Sequence, residues 1–325
     1  MSRDETLAFW ITAPGRGELR SEALPAPDAS QASVRTLYSG VSRGTESVVF
    51  NGQVPASEYE RMRAPFQAGQ FPGPVKYGYI SVGEIERGPV ELLGRSVFCL
   101  HPHQQRYVVP CESLYVLPES VPPARAVLAA NLETALNAIW DAGAGPGDRI
   151  TVIGAGSVGC LVAWLAARIP GCSVELIDTN PARARIAHLL GARFATPAAA
   201  TAEADVVLHA SGSAQGLELA LRLAAFEATV VELSWYGDRP VALPLGESFH
   251  ARRLTLKSSQ VGAIGTARRA RWNLRRRLEL ALQLLTEPKL DALINSESGF
   301  LELPQVMQRI TRAPGDVIMH RVTYS

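Results

Sequence analysis

The stretch from Ile150 to Asp178 places the tightest constraint on how this chain can fold. A short run of β-branched residues ends at three glycines in the spacing G-x-G-x-x-G, and an apolar, helix-like run follows. After a short break, a second apolar run ends in an acidic residue. That order predicts a strand, a tight turn, a helix and a second, parallel strand.

Each part of this motif has a physical role in holding a dinucleotide. Gly154 allows a sharp turn off the strand, Gly156 lets a pyrophosphate approach the backbone, and Gly159 lets the helix pack closely on the strand. The amides at the helix start and the positive end of its dipole attract the phosphates. Asp178 lies 19 residues past Gly159, near the spacing at which an acid holds the ribose diol. The cofactor site predicted from this motif comprises Gly154, Gly156, Ser157, Val158, Gly159 and Asp178.

Composition describes an ordinary globular protein. The 325 residues, 47% hydrophobic and 19% charged, predict two domains with sizeable cores. The net charge of +1 gives no general attraction toward nucleic acid or an anionic membrane. We find no signal-peptide pattern and no uninterrupted apolar window of about eighteen residues, so no membrane span is expected. The four cysteines form no C-x-x-C pair and suit a reducing compartment, so a cytoplasmic protein is expected.

The predicted elements divide the chain near residue 120. Residues 1–120 alternate short strand-like runs, among them one predicted at 75–82, with turn residues, which predicts a β-barrel or sandwich. Residues 121–289 begin with a long alanine-rich helix, predicted from Pro122 to Trp140, and then alternate strands with helices, as in a parallel sheet covered on both faces. The strands are predicted at 150–153, 174–177, 205–209 and 229–234, and the helices at 157–168, 181–190 and 214–226. The segment 290–325 ends in strand-like pieces and is expected to rejoin the N-terminal domain.

The basic run at 267–277 suggests a nucleic-acid surface as one hypothesis. The alternative is the solvated basic face of a helix that continues from Leu278 to Leu285. No fingerprint of a nucleic-acid module accompanies the run, and the net charge is near zero. The solvated face is therefore favoured, and no nucleic-acid partner is expected.

Five motifs together resemble the medium-chain dehydrogenase/reductase superfamily, and the likeness covers nearly the whole chain. They lie at 39–46, 77–83, 150–159, 209–212 and 290–294. The resemblance implies an α/β protein with a GroES-like β-barrel catalytic domain and a Rossmann doubly wound parallel sheet. It also implies an active site in the cleft between the domains, hydride transfer to or from a nicotinamide, and a homodimer.

The sequence departs from the zinc-dependent members of that superfamily at each ligand position. Where those enzymes carry cysteine, histidine and a further cysteine or aspartate, this chain carries Ser42, Tyr77 and the neighbourhood of Asn131. A hydroxyl, a phenol and an amide do not form a Zn²⁺ site. The four-cysteine structural zinc lobe is also missing, so no zinc is expected.

Without zinc, another group must stabilise the charge that develops on a carbonyl oxygen during hydride transfer. The resemblance places Lys76 and Tyr77 where the zinc-ligand motif lies, so the phenol could donate a proton, with the ammonium lowering its pKa. The alternative is that Tyr77 and Tyr79 are packing residues on one face of a strand.

A second polar concentration is His101-Pro-His103, where two histidines at i and i+2 would project to one side of an extended segment. Asn131 and Glu133 lie near the missing third zinc ligand, according to the resemblance. Together with Lys76 and Tyr77, these four residues complete the catalytic candidates. An unusual metal site formed by His101, His103, Glu133 and Glu46 is a further alternative, and contacts to a small-molecule substrate are another.

The choice of cofactor depends mainly on Asp178, whose charge would repel the 2′-phosphate of NADP and therefore favours NAD. Arg183 and Arg185 lie close by and could soften that preference. The resemblance implies that Arg43 contacts the pyrophosphate and that Ser211 and Gly212 lie near the nicotinamide. The first hypothesis is thus a zinc-independent, NAD-preferring oxidoreductase that interconverts an alcohol and a carbonyl compound. An NADPH-dependent enone or quinone reductase and a non-catalytic dinucleotide-binding protein remain alternatives.

Overall fold

A computed structural model gives the structure of the chain over residues 5–313 and 315–324. The described residues belong to two units. The first lies within Met1–Ala130, Leu282–Pro288 and Ile294–Ser325, and the second comprises Asn131–Ala281 and Lys289–Leu293. The chain therefore leaves the first unit twice, after Ala130 and after Pro288, and returns to it at Leu282 and at Ile294.

The helices and strands follow in chain order. From the N-terminus they are β1 (Glu5–Ala13), β2 (Arg16–Ala23), β3 (Gln31–Val41), α1 (Arg43–Phe50), β4 (Ala68–Gly69), β5 (Val75–Lys76), β6 (Ser81–Arg87), β7 (Ser96–Cys99), β8 (Arg106–Pro110), β9 (Tyr115–Val116), α2 (Pro123–Ala126) and α3 (Ala129–Ala142). There follow β10 (Arg149–Ile153), α4 (Ser157–Ala166), β11 (Ser173–Ile177), α5 (Ala184–Leu190), β12 (Arg193–Ala195), β13 (Ala204–His209), α6 (Ala214–Leu223), β14 (Ala224–Glu232) and β15 (Thr255–Ser258). The last elements are α7 (Leu274–Leu284), β16 (Ile294–Gly299), α8 (Leu303–Arg312) and β17 (Met319–Thr323).

Two sheets build the first unit. One has the strand order β2-β1-β5-β4, and the other has the order β16-β17-β3-β6-β7-β9 with β8 also paired to β3. The strand-like C-terminal tail is β17, which pairs antiparallel with β3 through contacts such as His320 opposite Val41. Alternating burial along β8 packs Tyr107 and Val109 into a core with Val34 and Ile85. The period of two in the sequence thus gives half-buried strands.

The second unit is an α/β structure around a six-stranded parallel sheet of order β12-β11-β10-β13-β14-β15. Counted along the chain, that order is 3-2-1-4-5-6, the order of doubly wound dinucleotide-binding sheets. The central strands β10 and β11 are buried over their last four residues, as the near-continuous apolar runs predicted. The strand order reverses between β10 and β13, and the carboxyl ends of these two strands mark the place where such sheets bind ligands.

Several predicted elements differ from the structure. The predicted strand at 75–82 is broken between β5 and β6, because Gly78 takes a φ of +131° in the intervening bend. The helix predicted at 214–226 ends at Leu223, and Ala224 already pairs with Ala204 in the sheet. The short strands β12 and β15 were not predicted, since three- and four-residue edge strands carry little periodic signal.

The helix predicted from Pro122 to Trp140 consists of two helices, α2 and α3, with residues 127 and 128 between them. In the described part of the chain, the helices lack the combination of length and apolarity that a membrane crossing requires.

Candidate functional site

The turn after β10 can be built only from glycine at two positions. Gly154 has a φ of +104°, and a Cβ on it would lie 2.7 Å from the Cα of Ser211. At Gly159, in the first turn of α4, a Cβ would lie 1.8 Å from the carbonyl oxygen of Gly154. A side chain at either position would push the strand, the helix and the neighbouring loop apart. The two glycines therefore hold the start of α4 tightly against the end of β10.

Gly156 lies in a different environment. It is the N-cap of α4, and a Cβ built on it meets nothing within 4 Å. The space in front of the helix N-terminus is therefore open, and Ser157 and Val158 follow as the first helical residues. Backbone amides and the positive end of the ten-residue helix α4 face this space. The arrangement fits the pyrophosphate of a dinucleotide.

Asp178, the residue after β11, lies at the same turn. Its Oδ2 accepts a hydrogen bond from the backbone amide of Ala155 at 2.7 Å, and its Oδ1 accepts one from the amide of Asn180 at 2.9 Å. The side chain is half-buried. The carboxylate thus bridges the two loops that follow β10 and β11, beside the glycine turn. Arg183, in the next turn of the chain, is 8% exposed.

A buried histidine network lies across the switch point from Asp178. His209 and Glu232 are the last residues of β13 and β14 and stand opposite each other in the sheet. His209 is fully buried, with Nδ1 2.7 Å from Oε2 of Glu232 and Nε2 2.6 Å from Oγ of Ser211. The amide of Gly212 donates to Oγ of Ser234 at 3.0 Å. Sequence reasoning named Ser211 and Gly212 but missed His209 and Glu232, because nothing in the sequence pairs residues 23 positions apart.

The first unit contains a second buried network of polar groups. Nε2 of His103 lies 2.9 Å from Oε2 of Glu46, and its Nδ1 lies 2.7 Å from Oγ of Ser39. Ser39 Oγ is also 2.9 Å from the hydroxyl of Tyr324, and the amide of Ser42 donates to Oε1 of Glu46 at 2.8 Å. Three segments distant in sequence, 39–46, 103 and 324, therefore meet in this network. Arg43, which opens α1 beside this cluster, is half-buried.

Tyr77 is 4% exposed and lies among aromatic rings. Its ring centroid is 5.7 Å from that of Phe71 and 6.1 Å from that of Tyr79, to which it is perpendicular. Burial raises the pKa of the Tyr77 phenol well above 10, with further contributions from Tyr79 and Glu46. The expectation that Lys76 lowers this pKa is wrong. The phenol is neutral at pH 7 and keeps its proton.

Lys76 has other partners. Its Nζ donates to Oε2 of Glu22 at 2.6 Å and to Oε1 of Gln104 at 2.9 Å, and it lies 5.9 Å from the ring centre of Trp10. The ion pair is largely buried, with the two side chains 11% and 23% exposed. These contacts give Lys76 a role in joining β5 to β2, and its ammonium is engaged there.

The two histidines of 101–103 do not share a partner. His101 stacks on Tyr107, with ring centroids 3.7 Å apart and an interplanar angle of 9°, while His103 binds Glu46 and Ser39. Nδ1 of His101 lies 2.9 Å from the carbonyl oxygen of Pro102. Because a carbonyl can only accept, Nδ1 carries the proton and Nε2 is left as an acceptor. Burial lowers the pKa of His101 to about 3, so the ring stays neutral.

In the second unit, Glu133 forms a buried ion pair with Arg277. The side chains are 6% and 1% exposed, and Arg277 Nε donates to Oε1 of Glu133 at 3.0 Å. Burial raises the pKa of Glu133, and the adjacent guanidinium opposes that shift. Arg277 also donates to Oδ1 of Asn137 at 2.5 Å and to the carbonyl oxygen of Val261. Asn131, six residues before Asn137 on the same helix, is also buried.

The interpretation of the basic run as one solvated helical face is therefore wrong at Arg277, the most deeply buried arginine of the run. It is also wrong about the helix, because α7 begins only at Leu274 and residues 267–273 precede it. The other arginines of the run are exposed, and they include Arg275 and Arg276.

The residues at the positions that correspond to the superfamily's zinc ligands do not suit a zinc ion. Ser42, Tyr77 and Asn131 offer a hydroxyl, a protonated phenol and an amide, which are not zinc ligands. Within residues 5–313 and 315–324, no three His, Cys, Asp or Glu side chains are grouped so that they could hold a metal ion. The alternative metal site with His101 and Glu133 among its ligands is not formed either. Glu133 pairs with Arg277, and Nδ1 of His101 donates to the carbonyl oxygen of Pro102.

No family model matches the chain. Curated proteins and solved structures that are similar to it are dehydrogenases. D-Guloside 3-dehydrogenase of Escherichia coli (strain K12) is 24% identical over 328 residues, covering 91% of this chain and 93% of that protein. A dehydrogenase from Sinorhizobium meliloti 1021, described as zinc-binding and bound to NADP, has a TM-score of 0.79 at 18% identity, covering 99% and 100% of the two chains. An alcohol dehydrogenase from Escherichia coli CFT073 in complex with NADH has a TM-score of 0.78 at 15% identity, covering 98% and 99%.

The chain therefore has the fold of the alcohol and zinc-binding dehydrogenases, and the resemblance stated from the sequence is borne out at the level of the fold. The expectation of an NAD(P)-dependent dehydrogenase is supported as well. All three relatives named above are dehydrogenases, and two of them were solved with NADP or NADH.

Proposed function

We propose that the chain is a zinc-independent, NAD(P)-dependent oxidoreductase that transfers hydride between a nicotinamide and an alcohol or carbonyl substrate. The observation that carries this proposal is the open glycine turn at Gly156, with the Asp178 carboxylate beside it, at the switch point of a 3-2-1-4-5-6 sheet. A nicotinamide bound there supplies the hydride acceptor or donor, and the chain supplies orientation and proton transfer.

The proposal assigns each unit a part. Residues 121–289 would form the Rossmann nucleotide-binding domain, because they contain the glycine turn and the whole parallel sheet. Residues 1–120, together with 290–325, would form the GroES-like catalytic domain, which contains Tyr77, His101 and His103. A homodimer is expected, and analytical ultracentrifugation tests that expectation.

NAD is the proposed cofactor, and NADP is the weaker candidate. Asp178 places a carboxylate at the adenosine end of the groove, where a 2′-phosphate would meet its negative charge. Arg183 is buried close by in the chain and supplies the nearest compensating charge on this loop. Gly156 and the amides in the first turn of α4 would hold the pyrophosphate, while Gly154 and Gly159 keep the turn tight.

We further propose Tyr77 as the group that gives a proton to the developing alkoxide during carbonyl reduction. Its raised pKa keeps it protonated throughout the physiological range, and a neutral phenol needs no metal to donate. Among the described residues, its hydroxyl makes no hydrogen bond, so a ligand would not have to displace a partner. In this proposal His101 accepts a hydrogen bond from a substrate hydroxyl through Nε2.

One relative adds a class of compounds to the panel of substrates that should be tested. D-Guloside 3-dehydrogenase acts, by its name, on a sugar derivative, so secondary hydroxyl groups of glycosides and polyols belong on the panel beside simple alcohols, aldehydes and enones.

Titration of the purified protein with NADH and with NADPH, followed by nicotinamide fluorescence, tests the cofactor part of the proposal. We expect tighter binding of NADH and hydride exchange with at least one alcohol or carbonyl compound. A strong preference for NADPH with turnover of enones alone would replace the proposal by an enone reductase. Cofactor binding without any turnover would favour a non-catalytic protein. Stoichiometric zinc in elemental analysis would overturn the zinc-independent part.

A further inference from the structure

The segment 63–69, which ends with β4 in the first unit, contains a buried amide group whose donor has no partner. Gln67 is 8% exposed, and its Oε1 accepts a hydrogen bond from the backbone amide of Ala64 at 3.1 Å. Within the described part of the chain, no group accepts a hydrogen bond from Nε2 of Gln67. Leaving a buried donor unpaired costs free energy, and a bound molecule that accepts from it removes that cost. Nε2 of Gln67 is therefore a candidate contact for a ligand.

The orientation of this amide follows from its partner. A backbone N–H group can only donate, so the side-chain atom that faces Ala64 must be the oxygen, and the other end of the amide is the NH₂ group. A carboxamide also carries no titratable proton at physiological pH. Nε2 is thus a donor whatever the protonation states of its neighbours.

Several contacts fix Gln67 in place before a ligand binds. Its backbone amide donates to the carbonyl oxygen of Ala64 at 3.2 Å. The guanidinium of Arg63 donates to the carbonyl oxygens of Gln67 and Gly69, both at 3.2 Å. Phe66, the preceding residue, has a φ of +57°, which is a strained conformation for a bulky side chain. The fold tolerates this strain to form the turn, so a ligand would meet a donor that is already positioned.

Gln67 lies beside Tyr77 at the end of a strand pair. β4 pairs antiparallel with β5, and Ala68 stands opposite Lys76. Continued by one residue, this register sets Gln67 opposite Tyr77. Residues directly opposite each other project from the same face of a sheet, with their Cβ atoms about 5 Å apart. Both side chains are buried, so the amide of Gln67 and the phenol of Tyr77 are neighbours on one face.

Two neighbouring donors suit a ligand that has two neighbouring acceptors. The proposed function assigns the phenol of Tyr77 to the oxygen of the reacting carbonyl group. An oxygen on the next carbon of the substrate would then accept from Nε2 of Gln67. A simple ketone leaves this donor unpaired, and a site that hydrogen-bonds a substrate group discriminates against the analogue that lacks it.

We propose that Gln67 determines substrate specificity: it donates through Nε2 to an oxygen on the carbon beside the reacting carbonyl group, so that α-oxygenated carbonyl compounds are the preferred substrates. This role rests on the proposed function, which supplies the role of Tyr77. In the reductive direction NADH gives its hydride to the carbonyl carbon and becomes NAD⁺, and Tyr77 gives its proton to the carbonyl oxygen. Water then returns a proton to the phenolate, while Gln67 binds and exchanges no proton.

The experiment compares two ketones of equal size, hydroxyacetone and butanone, by the kcat/KM of their reduction with NADH. We expect the wild type to favour hydroxyacetone about tenfold or more, and Gln67→Met to lose that preference, as for one hydrogen bond. Gln70→Met changes an exposed glutamine just after β4 and is the matched control, which should keep the preference. Equal values for the two ketones in the wild type, or equal losses for both in Gln67→Met, would overturn the inference.

A second comparison needs only the wild-type protein and uses methoxyacetone and 2-pentanone. An ether oxygen accepts hydrogen bonds but cannot donate them, so it suffices for Nε2 of Gln67. We therefore expect methoxyacetone to be preferred as well. If the hydroxyl of hydroxyacetone acts only by donating, for example to His101, methoxyacetone will have no advantage, and the assignment to Gln67 is then wrong.

Failure of the proposed function gives a different result. In that case the wild type reduces no carbonyl compound of the panel with either nicotinamide. Turnover without a preference within either pair of ketones would leave the proposed function intact and contradict the role of Gln67. Turnover of panel compounds that lack a second oxygen, with both α-oxygenated ketones left unreduced, would contradict it as well.

Discussion

Arg277 shows how differently neighbouring residues of one type can behave. Arg275 and Arg276 are exposed, and Arg275 pairs with Glu279 at the surface, whereas Arg277 is 1% exposed. Successive residues of a helix point about 100° apart, so a run of arginines necessarily faces several environments. The buried member is the one whose direction coincides with Glu133 and Asn137 on α3. Sequence alone gives no means of identifying that member, because the direction depends on how the two helices pack.

Arg277→Ala should lower the free energy of unfolding by about 3 kcal/mol or more, because Glu133 would remain buried without its counter-ion. The combination Glu133→Leu with Arg277→Met should recover most of that loss. Arg275→Ala breaks an exposed pair and should cost less than about 1 kcal/mol. Urea denaturation followed by circular dichroism measures all three. A small effect of Arg277→Ala would mean that water reaches Glu133.

Tyr77→Phe tests the proposed proton donor. Turnover in the reductive direction should fall about 100-fold or more, while the affinity for NADH should stay nearly unchanged. Tyr38→Phe, on the half-buried strand β3, is the matched control and should keep the wild-type rate. Stopped-flow measurement of NADH oxidation gives the rate. An unaltered rate in Tyr77→Phe would remove this residue from the mechanism and leave it as a packing residue.

At the level of elements, the glycines between β10 and the first turn of α4 have two different roles: one allows close packing, and another leaves space for a ligand. Gly159 is required because its hydrogen faces a carbonyl oxygen within the protein, whereas the space at Gly156 is open in the free protein. The two glycines of one motif therefore have different consequences when a methyl group is added.

Gly156→Ala should change the free energy of unfolding by less than about 1 kcal/mol, since an added Cβ meets no atom and alanine is only a poorer N-cap. It should nevertheless weaken NADH binding strongly, because the methyl group occupies the approach of the pyrophosphate. Gly159→Ala should instead destabilise the protein by several kcal/mol. Gly145→Ala, also in open space, is the control. Equal NADH affinities of Gly156→Ala and wild type would place the phosphates elsewhere.

The sequence could predict the features that depend on local patterns but not those that depend on contacts between distant residues. The glycine turn and Asp178 follow from spacings inside one βαβ unit, and such local patterns are visible in a chain. The partnership of His209 with Glu232 depends on two strands being neighbours in register, and the cluster of Ser39, Glu46, His103 and Tyr324 joins segments up to 285 residues apart. Long-range contacts of this kind leave no periodic signal. The break at Gly78 was missed for a local reason: β-branched and aromatic residues on both sides of the glycine concealed the turn.

At the level of the whole molecule, stability should depend on two buried neutral histidines of the first unit. His320 lies between Ser296 and Ser298, at 2.8 and 3.0 Å, and burial lowers its pKa from 6.5 to about 4. Burial likewise lowers the pKa of His101 to about 3. In the unfolded chain both rings take up a proton near pH 6.5, so protons favour the unfolded state below that pH.

The contribution of these two rings to the free energy of unfolding should therefore be complete above pH 6.5 and fall as the pH drops, down to about pH 4 for His320 and about pH 3 for His101. The share of His320 is about 3 kcal/mol. His320→Gln should lower stability at pH 7 and flatten the decline between pH 6.5 and 4. Urea denaturation at a series of pH values measures both slopes. Parallel slopes for the variant and the wild type would mean that His320 takes up its proton without unfolding.

The carboxylate of Asp178 accepts hydrogen bonds from the amides of Ala155 and Asn180 in the free protein, and so ties together the two loops that the proposed function places around an adenosine. A sugar that reaches it exchanges one set of hydrogen bonds for another and does not have to organise loose backbone. Little conformational freedom remains to be lost at this end of the groove, so a ligand should bind there to a preorganised site.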